Sequence, residues 1–125
     1  MAERDRGPAA TLDHVQVAIP PGGEDAARRF YAGLLGLHEV EKPEPMRATG
    51  GVWFEPGVHP GVEAEFRPAR KAHPGLRMTD LDAVVARLEA AGADLEWDER
   101  RPGVRRLYTH DPFGNRLELV ARGSP

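Results

Sequence analysis

The strongest constraint on this chain is a repeat inside it. His14-Val-Gln-Val-Ala-Ile and His73-Pro-Gly-Leu-Arg-Met stand 59 positions apart in a chain of 125 residues, and each leads into a stretch with helical spacing. A period of about half the chain, with mixed elements inside it, points to two copies of one module rather than to a solenoid.

The punctuation supports that reading. Thr11–Ile19 alternates and is rich in β-branched residues, which predicts a strand. Pro20–Gly23 breaks it, and Asp25–Leu35 then sets Ala26, Ala27, Phe30, Tyr31, Leu34 and Leu35 at helical spacing, with Gly36 as the stop. His38–Glu41, Gly51–Phe54 and Val62–Phe66 follow as expected strands, the last placed after Pro60 because proline interrupts a ladder. In the second half Ala72–Met78 predicts a strand. Thr79 or Asp80 caps a helix to about Ala91, with Leu81, Val84, Val85, Leu88 and Ala91 as its apolar stripe and Gly92 as its stop. Leu95–Trp97, Val104–Thr109 and Arg116–Val120 close the series, the last two joined by the turn Asp111-Pro112-Phe113-Gly114-Asn115.

The expected class is therefore α+β: two paired βαβββ modules, 11–67 and 72–122, in one domain over 11–122. Neither half can bury a good core alone. They should pair, with helices outside and the sheets curving around a cleft. The ends, Met1–Ala10 and Arg122–Pro125, read as polar arms, and the charged start has no leader-like apolar run. Absence of cysteine removes disulfides, thiolate metal sites and a cysteine nucleophile. A net charge of −3 argues against a nucleic-acid partner, and no apolar run is long enough for a membrane span. A cytoplasmic protein is the expectation.

Alternation assigns side chains to faces. Val15, Val17 and Ile19 should pack on the helix, leaving His14, Gln16 and Ala18 on the concave side. In the repeat, Pro74, Leu76 and Met78 pack inward, leaving His73, Gly75 and Arg77. On the last strand Leu117 and Leu119 pack inward, leaving Arg116, Glu118 and Val120. A carboxylate on a covered sheet face needs a partner, and two histidines with a metal ion would be one.

Phe30-Tyr31-Ala32-Gly33-Leu34-Leu35-Gly36-Leu37 and Asp111-Pro112-Phe113-Gly114-Asn115-Arg116-Leu117-Glu118-Leu119 resemble the signatures of the vicinal oxygen chelate superfamily, which holds glyoxalases, bleomycin-resistance proteins and extradiol dioxygenases. The resemblance covers about Leu12 to Val120. It implies a cup-shaped site with metal ligands on the first strand of a module and a carboxylate on the last, positions matched here by His14, His73 and Glu118. The last strand of the first module departs from the glyoxalase pattern: His59 is the best match, with Glu63 or Glu65 as substitutes. Two imidazoles and a carboxylate suit Fe, Mn, Ni, Co or Zn as the divalent ion.

The resemblance implies a metal-dependent lyase, isomerase or dioxygenase acting on a small substrate held through neighbouring oxygens. Glu118 would be ligand and base in turn, or His59 the base. Arg77, Arg106, Tyr108 and Trp53 are candidate substrate contacts. Two other functions remain open: a ligand-sequestering protein of the bleomycin-resistance type, and a thiol transferase of the fosfomycin-resistance type. A homodimer is the implied assembly. His38 and His110 read as surface or turn residues, Arg67–Lys71 as a solvated linker, and Glu96–Arg101 as a charged hairpin.

Overall fold

A computed structural model describes residues 7–124. Residues 1–6 of the expected N-terminal arm and Pro125 lie outside them.

The two halves form two four-stranded mixed sheets. In the first, β1 (Val15–Ile19), β2 (His38–Val40), β3 (Trp53–Glu55) and β4 (Val58–Val62) are ordered β1-β4-β3-β2. In the second, β5 (Gly75–Met78), β6 (Glu96–Trp97), β7 (Arg106–His110) and β8 (Arg116–Ala121) are ordered β5-β8-β7-β6. Each first strand runs parallel to its module's last strand, and the remaining pairs are antiparallel. The repeat is therefore structural: Gln16 pairs with His59 as Gly75 pairs with Glu118.

The helices follow the first strand of each module. α1 begins as an α-helix over Glu24–Ala27 and continues as a π-helix over Arg28–Leu34, ending at Gly36 with φ +79°. Apolar spacing located this element without revealing its wider turn. α2 (Leu81–Ala90) starts at Asp80, whose carboxylate accepts the Ala83 N–H at 3.1 Å. This satisfies one of the donors that a helix start leaves unpaired. Leu81, Val84 and Leu88 face inward.

One apolar core serves both halves. It joins Val17, Ile19, Phe30, Tyr31, Phe54 and Val58 to Leu81, Val84, Leu88, Leu107, Leu117 and Leu119. The helices, expected on the outside, meet one another: α2 packs on the π-helical segment, and Arg87 Nε donates to the Leu34 carbonyl at 2.8 Å. A buried polar network makes a second joint. Tyr31 donates to Asp111 Oδ2 at 2.8 Å, and Asn115 Nδ2 donates to Asp111 Oδ2 and to the Ala18 carbonyl, each at 2.8 Å.

The last strand of the first module, β4, lies earlier than expected. It covers Val58–Val62 instead of Val62–Phe66 and contains Pro60. The bonds Val15 N–H to Gly57 O and Glu63 N–H to Ile19 O fix the odd-numbered residues toward β1. The N–H that Pro60 lacks would point toward β3, on the side where its carbonyl accepts the Val52 N–H at 3.0 Å. The proline therefore costs the pairing with β1 nothing, and it forgoes only the reciprocal bond to Val52.

Candidate functional site

The concave face of the second sheet gathers one charged cluster. Glu118 stands opposite Tyr108 on one side and Gly75 on the other, and Arg106 stands opposite Val120. Arg106 is buried and spans the face: its Nη1 donates to Glu118 Oε2 at 3.0 Å and to the Tyr108 hydroxyl at 2.9 Å, while its Nη2 meets Asp98 Oδ1 at 3.2 Å. Hydrogen bonding to Glu118 raises the Arg106 guanidinium above its ordinary value. Arg101 approaches Glu118 Oε2 at 3.9 Å, and the Arg116 guanidinium lies 3.9 Å over the Tyr108 ring. Asp98, on the hairpin read as charged, has a side chain only 8% exposed, and its bonds to Arg100 hold it well below the usual carboxylate range.

His73 completes this cluster. Its Nδ1 lies 2.8 Å from the Lys71 carbonyl and its Nε2 lies 3.4 Å from Glu118 Oε1. A carbonyl can only accept, so Nδ1 carries a proton. In the neutral ring, Nε2 then turns a lone pair toward a carboxylate oxygen. The Tyr108 ring backs His73 edge-on at 5.4 Å.

The first sheet carries the counterpart. His14 and His59 stack at 4.5 Å between ring centroids, and His59 stacks on Trp53 at 4.1 Å. Asp13 Oδ2 lies 2.8 Å from His14 Nδ1, so the His14 ring turns Nε2 away from that contact. Burial, His14 and Lys42 together hold His59 below the ordinary histidine value, favouring the neutral ring. His59 occupies the place on β4 that Glu118 occupies on β8, as the two registers show. Glu63 follows the end of β4, and it and Glu65 are exposed.

The candidates fall into two groups. His73, Glu118, Arg106 and Tyr108 meet on one face, and His14, His59 and Trp53 meet on the other. Among the described residues no three His, Cys, Asp or Glu side chains are gathered to hold a metal ion. Arg77 stands apart at the end of β5, donating to the Ser124 carbonyl at 2.9 Å. Sequence reasoning missed Asp13, Lys42 and the Tyr31–Asp111–Asn115 joint. An acid directly before a strand-start histidine was the available signal for Asp13. Nothing local marked the joint, because its members stand up to 97 positions from what they bind.

Comparison with known proteins decides the relationship. A family model for a glyoxalase-like domain matches residues 16–120. The chain belongs to the glyoxalase-like domain family. Its structure resembles a glyoxalase family protein of Bacillus anthracis with 42% identity and a TM-score of 0.85, over 93% of this chain and 98% of that one. It also resembles lactoylglutathione lyase of Agrobacterium tumefaciens, with 21% identity and a TM-score of 0.64, over 93% and 96% of the two chains. A variant of the fosfomycin resistance protein FosX of Listeria monocytogenes, complexed with Mn(II) and a dihydroxypropylphosphonic acid, matches at 15% identity and a TM-score of 0.71, over 91% and 93%. No curated protein matches the chain. The last two likenesses concern the fold. No helix among the described residues is long and apolar enough to cross a membrane.

Proposed function

We propose that this protein is a divalent-metal-dependent enzyme of the superfamily, acting on a small substrate held through neighbouring oxygens. In this reading His73 and Glu118 of one copy and His14 of a second hold the ion in a homodimer. The supporting observation is the state of the two imidazoles. Each has Nδ1 tied to an acceptor, Asp13 for His14 and the Lys71 carbonyl for His73, which leaves Nε2 to face an ion, with Glu118 Oε1 at 3.4 Å beside it in His73. Metal-bound histidines are oriented in this way by their surroundings. The 3.4 Å between His73 Nε2 and Glu118 Oε1 is long for a hydrogen bond. Two donors about 2.1 Å from one ion at tetrahedral angles stand about 3.4 Å apart. That spacing supports His73 and Glu118 as the pair of one copy that would hold the ion.

When bound, the ion would act as a Lewis acid toward the oxygens of the substrate. The remaining work falls to this chain's side chains. Arg106 ties down Oε2 of Glu118 and leaves Oε1 turned to His73. His59, favoured as the neutral ring and stacked beside His14, is placed to accept a proton from substrate. A second copy enters because one chain supplies two donors on one face and the third on another. Among the described residues β1 and β5 are both edge strands beside a groove of about 680 Å³, and each pairs on one side only. The substrate is a small molecule, and the acidic chain offers nucleic acid no attraction.

The test is the thermal midpoint and metal content of purified protein after incubation with Mn(II), Ni(II), Zn(II), Co(II) or, anaerobically, Fe(II). At least one ion should bind and raise the midpoint, and His73→Ala and Glu118→Gln should each abolish the rise. No rise with any ion would overturn the reading. A non-catalytic ligand-binding role, the second reading, would then be favoured by the ion pair that already engages Glu118 with Arg106.

A further inference from the structure

The concave face of the first sheet holds a pocket of about 310 Å³, bordered by β1, β4 and the 3-10 turn Glu44–Thr49. We propose that it is the subsite for the anionic end of a small organic substrate, and that Lys42 is the specificity-determining residue that receives it. This names a substrate class for the site proposed above and rests on that reading.

Lys42 lies half-buried at the pocket and donates to Thr49 Oγ1 at 3.4 Å and to the Gly50 carbonyl. Both acceptors are neutral. Among the described residues no carboxylate pairs with it, although nearby cations are paired: Arg28 with Asp25 and Glu39, and Arg47 with Glu41. Among the described residues the one carboxylate lining the pocket, Asp13, is engaged by His14 Nδ1 at 2.8 Å. An ammonium partly withdrawn from water and bonded only to neutral oxygens favours an incoming anion. Lysine acts as a compact point charge, which suits a carboxylate or a phosphonate alike.

The rest of the pocket describes the body of the ligand. Trp53 and Met46 supply apolar surface beside the stacked rings, and Met46 is 45% exposed with its thioether available for contact. Such a lining suits a flat or apolar group. The volume is at the small end for ligand pockets, which points to a metabolite-sized molecule.

The experiment uses chelator-treated protein, so that its outcome does not depend on a metal ion. In a Trp97→Phe background Trp53 is the one tryptophan left, and its fluorescence reports on the pocket. Benzoate and phenylphosphonate are titrated as anionic probes, with benzyl alcohol as the neutral one. At least one anion should bind about tenfold more tightly than the alcohol, and Lys42→Met should lose about tenfold in that affinity while Lys42→Arg keeps most of it. Which anion binds distinguishes carboxylate from phosphonate. The proposal is overturned if neither anion binds at millimolar concentration, if benzyl alcohol binds equally well, or if Lys42→Met binds the anion unchanged. The comparison of probes in the parent protein decides the matter even if Lys42→Met folds poorly. Failure of the metal test above with success here would leave an anion-binding cleft without metal chemistry.

Discussion

Tyr31 takes a hydroxyl into a fully buried position because Asp111 stands there to accept its hydrogen bond. Burial and the neighbouring carboxylate push ionisation of Tyr31 far above its ordinary range. Tyr31→Phe removes one charge-assisted bond from a buried carboxylate, so the chain should lose about 1.5–3 kcal/mol of stability in urea unfolding. An unchanged midpoint would show that the bond contributes nothing. Glu24 offers a pH test. Its carboxylate accepts the Gly51 N–H at 3.0 Å, and that bond holds it below the ordinary value of 4.5. A depressed carboxyl lends stability that is complete above the unfolded value and is lost as pH falls through the lower folded value. Glu24→Gln should therefore be less stable than the parent at neutral pH, and the gap should narrow on acidification below about pH 4. Thermal midpoints with a gap independent of pH would contradict this. His14, His73 and Glu118 were legible as concave-face residues because β-alternation assigns faces without knowledge of tertiary structure. The partners of Arg106 were not, because cross-strand register decides whether it meets substrate or Glu118.

Among the elements, helix α2 was legible from its stripe and its cap. The strand β4 was not, because Pro60 reads as a break until the direction of its missing N–H is known. The link into β3 depends on glycine in the same way. Gly51 has φ +86°, and a Cβ there would lie 2.5 Å from the Pro60 carbonyl oxygen, a backbone atom that cannot move alone. The Val52 N–H bonds the same carbonyl at 3.0 Å. Gly51→Ala should cost at least about 1–2 kcal/mol from the left-handed conformation alone, with the steric contact adding to it. Calorimetry on the variant checks this, and a midpoint equal to the parent's would mean that the link re-forms another way. Leu88→Ala, which removes a fully buried side chain from α2, should cost about 2–5 kcal/mol by the same measurement.

For the whole molecule, the repeat read from two hexapeptides 59 positions apart became two sheets of matching order. How the halves meet was not legible. Helix against helix and helices outside bury similar apolar stripes, and long-range bonds such as Asn115 to Ala18 decide between them. That packing leaves His73 and Glu118 on one face and His14 on another, which is why the proposed site needs a second copy. The most direct measurement is the metal content of His14→Ala, of His73→Ala, and of the two unfolded and refolded together in equal amounts. Each variant alone should lack metal. Random pairing should make about half of the dimers mixed, each with one intact site, and restore about a quarter of the parent's content. A mixture as empty as its components, with the parent loaded, would contradict a site shared between copies.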